Sequence, residues 1–282
     1  MKTWFITGAN GGLAYPMIKI LLERGDRVAA TVRKPQALDE LQKKYGSNLW
    51  IATLDLTEPN SIKQVVDQAI EVLGTIDILV NNAGYGMYGA VEEASDEQIE
   101  HLFQTNFFGS LRVARAFMPY FRAKGKGHIV QIASMVGQTS NPGLGLYSAS
   151  KWAVEGAFEA LAKEAAPFNI KLTMIEPGGI RTGFFSDNGV MEQELEAYRD
   201  QPAREFIRYY SSKEGMDTLL GDPEKMAKVI IQRVDEGNGP LRLALGSDAY
   251  EEIKAALTLR LADLEKQKEL SFSTDVDKSL ND

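Results

Sequence analysis

The sequence predicts an α/β fold: a doubly wound parallel sheet with helices on both faces, in a single domain spanning 1–270. Two observations carry this. Short apolar runs alternate with helix-length stretches from the first residues to about 180, the pattern of parallel strands joined by right-handed crossovers. The first apolar run also passes straight into a glycine-rich turn and then a helix. That is the local arrangement in which a helix N-terminus meets a nucleotide's phosphates.

The strands are expected at Trp4–Thr7, Arg27–Val32, Leu49–Leu54, Ile76–Val80, His128–Ala133 and Lys171–Ile175, each a short apolar run of strand length. Helices are expected between them at Leu13–Arg24, Pro35–Tyr45, Pro59–Leu73, Asp96–Ala123 and Ser148–Ala166. Two of these open on cap signals, Thr57 before Pro59 and Ser95 with Gln98. Pro16 falls near the first turn of its helix, where proline is tolerated. Beyond Thr182 the alternation stops. Residues 183–220 are rich in Phe, Tyr and Met with Gly and Pro breaks, and are expected to form a lid over a substrate. A helix from about Pro223, a strand at Leu241–Leu245 and a charged helix at about 248–269 follow, and the polar residues 271–282 are expected to be a mobile tail.

Composition narrows the chemistry. With 44% hydrophobic and 25% charged residues, the chain of 282 residues can bury a sizeable core. It has no cysteine, which excludes disulfides and thiolate chemistry, and its two histidines, His101 and His128, make a metal site unexpected. A net charge of −8 argues against a nucleic-acid partner. No apolar stretch approaches the ~20 residues of a membrane span, and the glycine turn follows Met1 too closely for a signal peptide to be expected. The protein is expected in the cytoplasm.

The turn reads Thr7-Gly8-Ala9-Asn10-Gly11-Gly12-Leu13-Ala14. Its glycines let the backbone bend sharply and approach a pyrophosphate, so Gly8, Asn10, Gly11, Gly12 and Leu13 are candidate cofactor contacts. Asp55-Leu56-Thr57 closes the third strand and Asn81-Asn82-Ala83-Gly84 the fourth. Tyr147 and Lys151 sit four apart at the start of a predicted helix, hence on one face. Ser134 ends the strand thirteen residues before Tyr147, and Asn106 lies in the long preceding helix. Hydride reduction of a carbonyl develops negative charge on oxygen, and a proton donor must stand beside it. A tyrosine of pKa about 10 serves better when a neighbouring ammonium lowers that value.

These motifs resemble the short-chain dehydrogenase/reductase family, a Rossmann-type fold. The turn is similar to its TGxxxGxG fingerprint with Ala14 in the last glycine position. It also half-fits the TGxxGxxG of a longer, epimerase-like branch, so the turn alone does not choose. Asn81–Gly84 resembles the NNAG motif, and Tyr147-Ser148-Ala149-Ser150-Lys151 the YxxxK motif. Asn106 and Ser134, in order and spacing, complete a pattern that selects the short branch, firmly over residues 3–182. The flavour is that of the bacterial 17β-hydroxysteroid-dehydrogenase-like reductases.

The resemblance implies catalytic roles for Asn106, Ser134, Tyr147 and Lys151, with Asn106 holding a relay water. It implies adenine contacts at Asp55 and Leu56 and further cofactor contacts at Asn82, Ala83, Gly84, Tyr147, Lys151, Pro177, Gly178, Ile180 and Thr182, with Ile180 at the carboxamide end of the nicotinamide and Lys151 on its ribose. Val32 stands where NAD-preferring members carry an acid, and Arg33 follows it, so NADP is the expected cofactor. The expected substrate is an apolar carbonyl or alcohol met by Tyr85, Met87, Met135, Val136, Phe184 and Phe185. A homodimer or homotetramer is implied, through helices 96–123 and 148–166, with Phe107, Phe108, Phe117, Trp152 and Phe158 as apolar contacts. The competing reading is an NADP-binding sensor without turnover.

Overall fold

The computed structural model describes residues 1–182, 184 and 194–276. The elements follow in the order β1 (Thr3–Thr7), α1 (Ala14–Glu23), β2 (Arg27–Val32), α2 (Asp39–Tyr45), β3 (Leu49–Thr53), α3 (Pro59–Leu73), β4 (Ile78–Asn81), α4 (Asp96–Phe103), α5 (Ser110–Lys124), β5 (Gly127–Ile132), α6 (Gly145–Ala165) and β6 (Ile170–Pro177). Then come α7 (Pro202–Ser211), α8 (Lys213–Thr218), α9 (Pro223–Glu236), β7 (Arg242–Leu245), α10 (Ser247–Lys266) and α11 (Lys268–Phe272). The strands form one sheet in the order β3-β2-β1-β4-β5-β6-β7, parallel throughout. The expected doubly wound sheet is therefore the observed one.

Strand β1 shows why both faces are covered. Its side chains alternate by the pleat: Trp4 and Ile6 pack with Met17, Ile18 and Leu21 of α1 and Ile230 of α9. Phe5 points the other way, into Val66 of α3, Phe117 of α5 and Phe158 of α6. The Phe117 ring meets Phe5 edge-on at 5.0 Å and stacks on Phe121 at 5.4 Å. Phe117→Ala should therefore cost about 3–5 kcal/mol of stability, readable as a lowered midpoint of denaturant unfolding.

Several local expectations need correction. Thr57 does not cap α3: Glu58 holds that position, while the Thr57 N–H and Oγ1–H both donate to Asp55 Oδ1, at 2.9 and 2.7 Å. Ser95 does cap α4, in a reciprocal box with Gln98. The helix expected at 96–123 is interrupted by a π-helical stretch, Gln104–Gly109, between α4 and α5. Residues 35–38 form a tighter 3-10 turn before α2. Within the expected tail, α11 continues to Phe272, and residues 277–282 lie outside the described residues. No described helix is long and apolar enough to cross a membrane.

Candidate active site

The chain winds outward from β1 to β3 and then returns to place β4 on the other side of β1. At that reversal the carboxyl ends of β1 and β4 leave a crevice, the position where open α/β sheets bind ligands. Thr7 and Asn82 stitch the two ends together. Thr7 Oγ1 accepts from the N–H groups of Asn82 and Ala83, at 3.0 and 3.1 Å, and Asn82 Nδ2 donates to the carbonyls of Thr7 and Gly8. Gly8 must be glycine here. Its φ is +65°, and a Cβ on it would lie 2.8 Å from Ala83 Cα. Outward from the turn the space is open, with no atom within 4 Å of where a Gly11 Cβ would stand. Ala14, in the place of the fingerprint's last glycine, buries its methyl completely against the core.

A cavity of about 410 Å³ runs from this turn across the sheet's edge, within the range of small-ligand sites. It is lined by every residue expected to contact a cofactor: Gly8, Asn10, Gly11, Gly12, Leu13, Arg33, Asp55, Leu56, Asn82, Ala83, Gly84, Tyr147, Lys151, Pro177, Gly178, Ile180 and Thr182. Ser134 lines it too, as do Tyr85, Met135, Val136 and Phe184. Asn106 is the exception among the candidate catalytic residues. Its side chain clamps the backbone of Tyr85, accepting from the N–H at 3.0 Å and donating to the carbonyl at 2.9 Å, and it donates to Ser150 Oγ at 3.2 Å. The wide π turn carries Asn106, buried, to this position beside Gly84. Met87 also misses the cavity, because it packs against Leu102 and Leu146. Phe185 lies outside the described residues.

Three groups converge beside the cavity's midpoint. Tyr147, near the start of α6, is buried and hydrogen-bonded to Ser134, which follows β5. Lys151, one turn on, donates from Nζ to the Ile132 carbonyl at 3.1 Å, and its Nζ lies 5.7 Å from the centre of the Tyr147 ring. Burial dominates both ionisations. It raises the Tyr147 hydroxyl above its ordinary range, with the Ser134 hydrogen bond opposing. It pulls Lys151 down to about 8, against the attraction of Glu155. The expected lowering of Tyr147 by the ammonium is thus not found: desolvation of the phenolate dominates, and only Ser134 opposes it.

The reach beyond Tyr147 is apolar. Tyr88, Val136, Leu144 and Tyr147 form a cluster against which Met135, Phe184, Phe206 and Ile207 pack. Phe206 and Ile207 come from α7, inside the segment expected as a lid. That helix is tied down by Arg204, whose Nη2 meets Glu93 Oε1 at 2.5 Å, both side chains buried. Sequence reading missed Phe206, Ile207, Leu144, His101 and Thr105 as neighbours of the site. Only the aromatic density of Phe206-Ile207-Arg208-Tyr209-Tyr210 hinted at the first two. His101 and Thr105 line the cavity, and His101 Nδ1 lies 2.8 Å from the Tyr85 hydroxyl. Of the aromatic residues expected on an oligomer face, Phe117 and Phe158 are fully buried in the core and cannot serve there, whereas Phe108 and Trp152 are partly exposed.

A crevice at the sheet's reversal that ends on a buried tyrosine, serine and lysine is the arrangement expected of a dinucleotide-binding oxidoreductase. Comparison with known proteins makes the assignment specific. The short chain dehydrogenase profile matches residues 2–193, and the chain belongs to that family. It is 36% identical to an oxidoreductase of Botryotinia fuckeliana over 97% of this chain and 99% of that protein. It is 36% identical to a 3-ketodihydrosphingosine reductase of Bacteroides thetaiotaomicron over 86% of each. A short-chain dehydrogenase from Streptomyces avermitilis, known from its crystal structure, superposes with a TM-score of 0.89 at 35% identity, over 98% of this chain and 100% of that one. Other solved structures of this fold, at 24–26% identity, hold NAD or NADP.

Proposed function

We propose that the protein is an NADP-dependent oxidoreductase that interconverts an apolar carbonyl compound and its alcohol. The observation that carries this reading is the placing of Tyr147, Ser134 and Lys151 on one cavity, between the glycine turn and an apolar pocket. The residues fit a nicotinamide dinucleotide. Gly11 and Gly12 leave an open cradle at the turn; Asp55 and Leu56 on the cavity wall would face the adenine, and Pro177, Gly178, Ile180 and Thr182 on the same wall would face the nicotinamide. Bound there, the nicotinamide would supply the hydride chemistry. Ser134 would hydrogen-bond the substrate oxygen and polarise it. Tyr147, whose hydroxyl pKa burial holds above its ordinary range, would give that oxygen its proton. Lys151 would hold the ribose and stabilise the phenolate left behind. Asn106 fits a positioning role, since its amide fixes Tyr85 and Ser150 around the site.

The cavity wall of Met135, Val136, Leu144 and Phe184, backed by Phe206 and Ile207, suits an apolar substrate, and a relative named for reducing 3-ketodihydrosphingosine supports a keto compound. The test is consumption of NADPH against a panel of neutral and charged carbonyl compounds. Turnover of apolar ketones or aldehydes supports the proposal. Turnover confined to phosphorylated or multiply charged substrates overturns the substrate class, and NADPH binding with no turnover favours the sensor. Phe184→Ser should raise KM for an apolar substrate about tenfold with kcat little changed, because it removes an aromatic part of the cavity wall worth about 1.5 kcal/mol. A homo-oligomer through α5 and α6 is also proposed, with Phe108 and Trp152 at its surface. Light scattering at micromolar concentration should give a multiple of 31.1 kDa, and a monomeric mass would refute it.

A further inference from the structure

Behind the site lies a second charged cluster that the proposed reaction does not use. Glu155 stands one turn beyond Lys151 on α6, on the same face. Glu176 reaches the same spot from β6, and both are almost fully buried. Arg242 Nε lies 2.9 Å from Glu155 Oε2 and 3.3 Å from Glu176 Oε1, so the two carboxyl groups share one guanidinium nitrogen. Two buried like charges this close oppose each other's ionisation, which favours a proton on one of them. Glu155 Oε1 meets no N–H or O–H donor among the described residues. We propose that Glu155 and Glu176 form a buried, proton-sharing pair that governs the charge of Lys151, which makes Glu155 a positioning residue for the reaction.

The charges facing the pair come from every element packed against it. Arg242 of β7 donates from Nε to Glu155 Oε2 at 2.9 Å, lies 3.3 Å from Glu176 Oε1, and donates from Nη2 to Glu159 Oε2 at 2.8 Å. Gln138 donates to Glu176 Oε1 at 2.7 Å. One guanidinium thus serves three carboxylates, and Lys151 is the further cation that Glu155 attracts. Gly137 packs tightly against both residues. A Cβ on Gly137 would lie 2.8 Å from Glu155 Cγ and 3.2 Å from the Lys151 carbonyl. Burial and the like charge of Glu176 raise Glu155 to about 7, while burial draws Lys151 down to about 8. The two ionisations therefore fall in the same range. Each negative charge that settles on Glu155 holds the Lys151 ammonium.

The experiment compares Glu155→Gln with Glu176→Gln, and it rests on the role proposed for Lys151. Removing the Glu155 charge should move the basic limb of the kcat–pH profile to lower pH by about half a unit. Removing Glu176 frees Glu155 to ionise earlier and should move that limb to higher pH. A merely structural role would lower stability in both variants without shifting the limb in opposite directions. A second readout needs no turnover. Because the folded pKa of Glu155 is raised, its contribution to stability is present below the ordinary carboxylate pKa and is lost as pH rises through about 7. The wild-type melting temperature should fall across that window, and Glu155→Gln should flatten the fall. Limbs that stay in place or move together would overturn the coupling to Lys151, and a melting profile unchanged in Glu155→Gln would overturn the shared proton. If no carbonyl is turned over, the pH dependence of NADPH affinity in the same variants reads the charge on Lys151 instead. Opposite shifts there support the coupling and absent shifts overturn it.

Discussion

Tyr147→Phe should cut turnover by about 10²–10⁴-fold, the usual range for losing a positioned general acid, while NADPH affinity changes little. The packing is indifferent to the hydroxyl: the ring lies 5.5 Å from Phe184 and sits in the cluster with Tyr88, Val136 and Leu144, contacts that phenylalanine keeps. What disappears is the hydroxyl bonded to Ser134, the group proposed to protonate the substrate oxygen. Steady-state NADPH oxidation with saturating carbonyl and fluorescence titration of NADPH separate the two effects. Activity above a few per cent of wild type would show that the acid lies elsewhere. Lys151→Ala is expected to damage turnover and cofactor affinity together. Its ammonium stands beside the Tyr147 ring and on the cavity wall, so the substitution removes both of its proposed functions.

The parts of the fold legible in the sequence are those set by local pattern. The glycine turn, the caps at Ser95 and Pro59, and the strand-helix alternation each depend on a few adjacent residues, and the structure places them close to expectation. The candidate site was legible for the same reason. Its residues follow strand ends or open a helix, and the parallel sheet gathers all strand ends on one edge. What was hidden depends on partners far along the chain. Arg204 and Glu93 are 111 residues apart, and neither carries a local sign of the other. That some of the helix aromatics must face the core is foreseeable, but which ones do is not, and the structure puts Phe117 and Phe158 there. The π turn at Gln104–Gly109 leaves the apolar pattern of a helix almost unchanged. Yet it decides that the Asn106 amide grips Tyr85 and does not open onto the cavity.

Arg33→Ala should remove most of a preference for NADP(H) that, in the wild type, reaches at least about tenfold in kcat/KM. Strand β2 ends on Val32, buried, and Arg33 follows it, exposed on the cavity's rim. No carboxylate occupies the strand-end position, where an acid would accept hydrogen bonds from the ribose hydroxyls of NAD and repel a 2′-phosphate. The nearby acid, Asp55, is occupied by the Thr57 N–H and Oγ1–H, which hold its pKa below the ordinary value. In the proposed reading, the exposed guanidinium would hold the 2′-phosphate of NADP by charge-assisted hydrogen bonds. A charge-assisted hydrogen bond of about 1.5–3 kcal/mol corresponds to roughly 10- to 150-fold in affinity. Adding Val32→Asp to Arg33→Ala should carry the preference over to NAD(H), because it supplies the missing ribose acceptor and a like charge against the phosphate. Initial rates with both reduced cofactors in the three proteins measure the ratio directly. Because the grip on the 2′-phosphate is electrostatic and exposed, the wild-type preference should also shrink as ionic strength rises. Equal efficiency with NADH and NADPH in the wild type, or a ratio unmoved by the loss of Arg33, would place cofactor choice at some other residue.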